Sequence, residues 1–162
     1  MKEAGGERRY GVVPREQMLA MSGLEFLRSI VDGSSPAPPI TQTLNYRLVE
    51  VREGFAAFEG EPDFSVYNPL GLVHGGYALT LLDSVLGCAV QSTLAKGVGY
   101  TTIETKVNFL RPITKDTGRV RVEGRIVHAG RRTGLAEGDL KDAAGRVLAY
   151  GTSTCLIFSA DG

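Results

Sequence analysis

Residues 77–90 read YALTLLDSVLGCAV. The run has helix length and is rich in Ala and Leu. Apolar residues fall on every side of its helical wheel, so it predicts a helix buried all round. Gly87, Cys88 and Ala89 are small and admit close neighbours. Asp83 is out of place in such a helix. Mid-helix Asp has poor helix propensity, and an unpaired buried carboxylate is costly. Two readings follow: structural glue, bonded to a nearby Thr or Ser or set in a subunit seam, or a catalytic carboxylate in a cleft. The second is favoured, because perturbed carboxylates cluster at functional sites.

Just ahead of this run stands His74-Gly75-Gly76. Two glycines leave the backbone bare where the helix begins. Free N–H groups point outward there, and the helix dipole adds partial positive charge. Such an end can hold the oxygen of a polarised carbonyl. The plainer reading is a tight loop-to-helix turn that needs glycine conformations. His74 before the pair and Asp83 after it strengthen the first reading.

Downstream, Thr101–Leu110, Arg119–His128, Thr133–Lys141 and Val147–Phe158 are strand-like runs rich in Val, Ile, Thr and Phe, separated by turns. Upstream, residues 61–73 hold two Pro and a Gly and predict a loop. Before it, Leu44, Tyr46 and Leu48 alternate with polar residues, and Phe55–Glu59 returns after a turn at Glu53-Gly54. SSPAPPI (34–40) reads as a stiff connector. Met18, Met21, Leu24, Leu27 and Ile30 repeat at helical spacing from Pro14, with Gly23 interrupting the pattern. Residues 1–12 are polar and expected to be flexible. The sum is a single domain over 13–162 with its core in 41–158. It reads as α+β: a long central helix wrapped by a curved, mainly antiparallel sheet, with an N-terminal helix.

Composition narrows the function. The 162 residues carry 18 Lys+Arg against 18 Asp+Glu, a net charge of zero. A nucleic-acid protein would carry a basic excess. No apolar run reaches membrane-span length, and MKEAGGERR (1–9) lacks a secretion signal's apolar stretch. Two Cys point to a reducing cytoplasm rather than a disulfide framework. Two distant His and no Cys/Asp cluster give no expectation of a metal site. His128, at a strand end, reads as surface. Cys88 and Cys155 read as fillers, without the basic neighbour that activates a thiol.

The stretch NPLGLVHGGYALTLLDSVLGCAV (68–90), followed by YTTIETKVNFLRP (100–112) and TSTCLIF (152–158), resembles the hotdog-fold acyl-CoA thioesterases of the PaaI-like and 4-hydroxybenzoyl-CoA thioesterase group. The resemblance runs through residues 35–158 in order and texture. It implies a homo-oligomer, a dimer or a dimer of dimers, with sites at the subunit seam. It implies an acyl-CoA substrate and no cofactor beyond the coenzyme A carried in that substrate. By motif position, Gly75 would supply the N–H that polarises the thioester carbonyl. Asp83 would activate water or attack directly, Asn68 would position water or thioester, and His74 would hold the loop in shape. Thr102 would assist the water. Strict alternation, however, sets Thr102 on the face opposite Val107 and Phe109, which leaves Thr101 as the other candidate. Some arylacyl relatives carry Glu where Asp83 stands and Thr where Gly87 stands, so the chain falls with the Asp-bearing members.

A distance argument stands beside the resemblance. Gly75 and Asp83 are eight residues apart, roughly 12 Å along a helix, whereas a base must lie within about 3 Å of what it serves. Two antiparallel helices across a two-fold axis pair Gly75 of one chain with Asp83 of the other. For the CoA phosphates, Arg111 and the Arg131-Arg132 turn are the basic candidates, with ordinary solvated charge the alternative. Gly76 belongs with them at the helix end. Leu72, Leu79, Leu82 and part of residues 18–40 are candidates for the acyl pocket, equally readable as core. Tyr67 and Tyr100 are placed to close it. Two other functions stay open. A hotdog enoyl-CoA hydratase or dehydratase would use His74 with Asp83, and a binding module would hold acyl-CoA without turnover.

Overall fold

The structure is a computed structural model that describes residues 8–160. Part of the stretch expected to be flexible, residues 1–7, lies outside the described residues. Beyond it, Gly11 N–H donates to Ala37 O at 3.0 Å, and Ala37 N–H donates to Arg9 O at 2.9 Å.

The expected N-terminal helix is two helices, α1 (Arg15–Leu19) and α2 (Gly23–Val31). The break follows from two local facts. Ser22 caps α2 in a reciprocal box, accepting from Glu25 N–H at 3.2 Å while its own N–H donates to Glu25 Oε2 at 2.7 Å. Gly23 then lies against another backbone: a Cβ there would sit 1.7 Å from Gln91 O. Leu27 and Ile30 turn inward from α2. The Pro-rich connector does not stay extended; it ends in a short helix, α3 (Pro39–Thr43), with Pro39 at the first helical position.

Six strands follow: β1 (Tyr46–Arg52), β2 (Phe55–Gly60), β3 (Val98–Phe109), β4 (Val120–Ala129), β5 (Thr133–Asp142) and β6 (Val147–Ser159). They form one sheet in the order β1-β2-β4-β5-β6-β3, with every pairing antiparallel. The 17-residue helix α4 (Gly75–Gln91) packs across the sheet. Its Leu81, Leu82, Val85, Leu86 and Ala89 are fully buried, in one core with Ala56, Val122, Ala136, Leu140 and Cys155. The architecture is the α+β hotdog arrangement expected.

Two corrections bear on the site. First, α4 is not buried all round: Leu79 is 39% exposed, and Thr80, Asp83, Ser84 and Cys88 are half-buried. These positions recur at helical spacing and form an open face. Leu82, a candidate for the acyl pocket, is instead fully enclosed in the core. Second, β3 does not alternate strictly. It pairs Thr102 with Cys155 and Glu104 with Thr154, so Ile103 bulges out unpaired. β3 is also an edge strand. Among the described residues no helix is long and apolar enough to cross a membrane.

Candidate active site

Asp83 sits midway along α4, where the helix passes β3. One carboxylate oxygen, Oδ1, accepts from Thr105 Oγ1 at 3.0 Å. Thr105 Oγ1 lies 3.2 Å from Ser153 Oγ, and Ser153 donates to Glu104 O at 3.0 Å. A chain of hydroxyls from β3 and β6 thus fixes the carboxylate. No hydrogen bond engages Oδ2 among the described residues, so one oxygen is held and the other is open. The charge is felt nearby. Desolvation, with Asp83 as a second cause, pushes the Cys88 thiol up to about 12. Burial first, then the neighbouring Cys88 and Cys155 and last Asp83, hold the Tyr100 hydroxyl well above its ordinary value. Cys155 is also raised, first by burial. Both thiols therefore stay protonated and inert near neutral pH.

The bulge settles which threonine meets the carboxylate. Just before Ile103, Thr102 is half-buried and Thr101 exposed; after it, Thr105 and Val107 are half-buried between exposed neighbours. Thr102 faces inward, as the motif implied, and Thr101 is exposed. Thr102, however, pairs with Cys155, and the hydroxyl that reaches Asp83 is that of Thr105. Sequence reasoning missed Thr105 and Ser153. The signal was present, because alternation back from Val107 and Phe109 lands on Thr105.

The start of α4 is built by His74. It is the N-cap, and its Nδ1 accepts from Gly76 N–H at 2.8 Å, so the imidazole carries its proton on Nε2. Its own N–H donates to Val66 O at 2.8 Å, anchoring the loop. The Gly76 N–H is thus taken by His74. Gly75 N–H carries no hydrogen bond among the described residues. The Phe109 ring lies against Gly75, and a Cβ there would sit 3.1 Å from Phe109 Cζ. Beside Gly75 is a hollow of about 170 Å³, floored by Val73, Ile113 and Ala149 and bounded by Arg111. The Arg111 guanidinium donates to Val147 O at 2.6 Å.

Asn68 does other work with its carbonyl. Oδ1 accepts from Leu70 N–H at 2.9 Å and Leu72 N–H at 3.1 Å, and Asn68 N–H donates to Leu72 O at 2.7 Å. Asn68 and Leu72 therefore close the loop ahead of His74. Only the Asn68 amide nitrogen remains for a ligand. Arg131 and Arg132 are exposed, in the turn beside Thr133, which pairs with Leu156. Phe109, by contrast, pairs with Ala149. The two ends are seven residues apart on β6, about 23 Å, so one protomer does not bring Arg131-Arg132 to the hollow of Gly75 and Arg111. The separation of Gly75 from Asp83 also stands, since both lie on the unbroken α4.

At the far end of α4 is a cavity of about 500 Å³ between the α1–α2 pair and the first half of β3. Met18, Met21 and Phe26 form one wall; Tyr100, Thr102 and Phe158 form the other. Tyr67 does not join it, and packs against Phe64 with ring centroids 5.6 Å apart.

Comparison with known proteins agrees with the fold. Residues 70–149 match the model of the Thioesterase superfamily. A provisionally named esterase of Halobacterium salinarum is 35% identical over 99 residues, 56% of this chain and 64% of the relative's own length. The crystal structure of a phenylacetic acid degradation-related protein from Ralstonia eutropha, a provisionally assigned thioesterase, superposes with a TM-score of 0.73 at 28% identity. That match covers 80% of this chain and 98% of that one. A Streptococcus mutans protein crystallised bound to acetyl-CoA is 27% identical, with a TM-score of 0.65 over 71% of this chain and 90% of its own. With its central helix, six-stranded antiparallel sheet and HGG-to-Asp stretch, the chain has the hotdog fold, and its residues 70–149 match the thioesterase superfamily.

Proposed function

We propose that the protein hydrolyses acyl-CoA thioesters, giving a carboxylic acid and free CoA at sites shared between two protomers. The observation that carries this reading is the half-held carboxylate: Asp83 with Oδ1 fixed by Thr105 and Oδ2 open on the exposed face of α4. The open oxygen takes a proton from water as the water oxygen bonds to the thioester carbon. The free N–H of Gly75, helped by the helix dipole, receives the charge that develops on the carbonyl oxygen; one such donor is worth about 3–4 kcal/mol. The C–S bond then breaks. A thiolate leaves without strong acid help, since thiol pKa values lie near 8.5, roughly. The same carboxylate is equally placed to attack the carbonyl itself, forming an anhydride that water then opens.

A second copy of the chain completes the site. Asp83 and Gly75 of one helix cannot meet on one carbonyl. The β3 edge is unpaired and carries Ile103, Phe109 and Leu110, each more than half exposed. A long unpaired edge bearing exposed apolar side chains calls for a partner. Two β3 edges run antiparallel would bring Gly75 of one α4 toward Asp83 of the other. The same operation brings Arg111 of one copy and the Arg131-Arg132 turn of the other to one end of the seam, where CoA phosphates would lie. The acetyl-CoA complex of the Streptococcus mutans protein supports a CoA ligand.

The test is Asp83→Asn, which keeps an oxygen to accept from Thr105. Free-thiol release from acyl-CoA should fall by about 10²–10⁴-fold while the thermal melt is unchanged. Full turnover by the folded variant removes Asp83 from the mechanism. Crotonyl-CoA hydration without thioester cleavage would instead make the protein a hydratase, and tight acyl-CoA binding without thiol release by the wild type would make it a binding module.

A further inference from the structure

We infer that the cavity between α1–α2 and β3 receives the far end of a straight medium-chain acyl group, and that Met18, Met21 and Phe26 set the chain length accepted. The inference rests on the thioester reading of Asp83. Three observations carry it. The first is continuity: Thr102 lines the cavity, and the bulge at Ile103 puts Thr102 on the same inward face of β3 as Thr105, which holds Asp83. The two threonines are one alternation step apart once the bulge is discounted, about 7 Å. At three bonds per 3.3–3.6 Å of extended chain, that is about six C–C bonds. Acyl groups of about six carbons or fewer therefore stop short of the cavity, and those of about eight to twelve enter it.

The second is the shape of the path. Tyr100 narrows the cavity on the Asp83 side of its lining, its hydroxyl against Gly87, one helical turn beyond Asp83: a Cβ at Gly87 would sit 3.0 Å from that hydroxyl. A thin flexible chain slips past such a ring, whereas a bulky aryl group ends against it and leaves about 500 Å³ unfilled. The wall beyond is Met18 and Met21 with the rings of Phe26 and Phe158. Thioether side chains re-pack readily around a flexible apolar guest.

The third is origin. The α1–α2 wall precedes residue 70, where the match to the superfamily model begins. It is nonetheless firmly docked: Gly23 N–H donates to Leu94 O at 2.9 Å, Gly97 N–H donates to Leu19 O at 3.0 Å, and the Arg15 guanidinium donates to Ala160 O at 3.3 Å. The cavity is thus a preformed addition by this chain's own N-terminal segment.

The test uses the full-length chain with butyryl-, hexanoyl-, octanoyl-, decanoyl- and phenylacetyl-CoA. Wild-type kcat/KM should rise by about fourfold per methylene beyond hexanoyl, and decanoyl-CoA should outrun phenylacetyl-CoA. Filling the cavity with Met21→Trp, or more gently with Met18→Phe, should cut the decanoyl-to-butyryl ratio at least about tenfold. An unchanged ratio in a folded variant, or a preference for phenylacetyl-CoA, overturns the inference. Calorimetric binding to Asp83→Asn separates the two claims. A ladder of tighter binding from butyryl- to decanoyl-CoA, without cleavage by the wild type, would sink the hydrolase reading and keep the cavity's role. Cleavage without the ladder would do the reverse.

Discussion

Replacing Gly23 with alanine tests how tightly the N-terminal helices are seated. The new Cβ would lie 1.7 Å from Gln91 O and 2.7 Å from Gln91 C, both backbone atoms at the end of α4. Neither can swing aside like a side chain. Helix α2 must retreat by more than an ångström to reach ordinary contact. That retreat breaks the Gly23 N–H bond to Leu94 O, now 2.9 Å, and leaves buried groups without partners, at about 1–3 kcal/mol. It also loosens Leu27 and Ile30, which are 2% and 6% exposed, a strain of about 1–3 kcal/mol for an overpacked contact. Against this, alanine is a better helix former than glycine by about 1 kcal/mol at most. The net expectation is a loss of about 3 kcal/mol. For a chain of this length that lowers Tm by about 6–12 °C. Urea titration followed by far-UV circular dichroism gives the free energy, and a thermal melt gives the shift. A variant within about 0.5 kcal/mol of wild type would refute the reasoning, because surface substitutions without a close contact fall in that range.

Thr105→Val removes the hydroxyl that holds Asp83 Oδ1 while keeping the strand's shape. A hydrogen bond to a charged group is worth about 1.5 kcal/mol or more, so kcat for thioester cleavage should fall at least about tenfold with KM little changed, and Thr105→Ser should restore it. A Thr105→Ser variant as slow as the valine one would argue against the hydroxyl. Asp142 closes the turn between β5 and β6, accepting from Arg146 N–H at 2.9 Å, Ala144 N–H at 3.0 Å and Arg146 Nε at 2.7 Å. These partners, the Arg146 N–H first, hold its carboxyl below the ordinary 3.8. A folded-state pKa below the unfolded one contributes stability above the unfolded value and loses it as pH falls through the folded value. The stability gap between wild type and Asp142→Asn should therefore be full at neutral pH and shrink as pH falls below 3.8 in urea titrations; a gap that does not shrink would contradict the assignment.

The helix over 75–91 and the four strands after it were legible because each rests on a repeated local pattern: apolar density for α4, β-branched alternation and turns for β3 to β6. Their ends lie within a few residues of the expected ones. The split between α1 and α2 was only half visible. Gly23 signalled an interruption, and Ser22 with Glu25 spells a capping box, but the approach of Gln91 that makes glycine necessary comes from 68 residues away. The site was legible where a residue violates its surroundings. Asp83 stood out in an apolar helix, and His74-Gly75-Gly76 stood out at its start. It was illegible where backbone geometry decides. Nothing in the residue string announces that Ile103 bulges, so counting back from Val107 finds Thr105 but does not show that Thr102 shares its face. Nor could the string reveal that His74 occupies the Gly76 N–H and leaves Gly75 free. The open face of α4 was masked because Leu79 looks like core, yet it is 39% exposed within the chain.

The extra residue at Ile103 gives β3 two phases of alternation along its length. The half that steadies the carboxylate and the half that walls the apolar chamber are each read by their own parity. Substitutions can remodel one half without turning the other inside out. Deleting Ile103 would merge the two phases into one strict alternation, with Thr102 and Thr105 still on the face toward α4 but the local bend lost. The irregularity is thus a mechanical joint that lets chemistry and selectivity drift apart on one continuous strand.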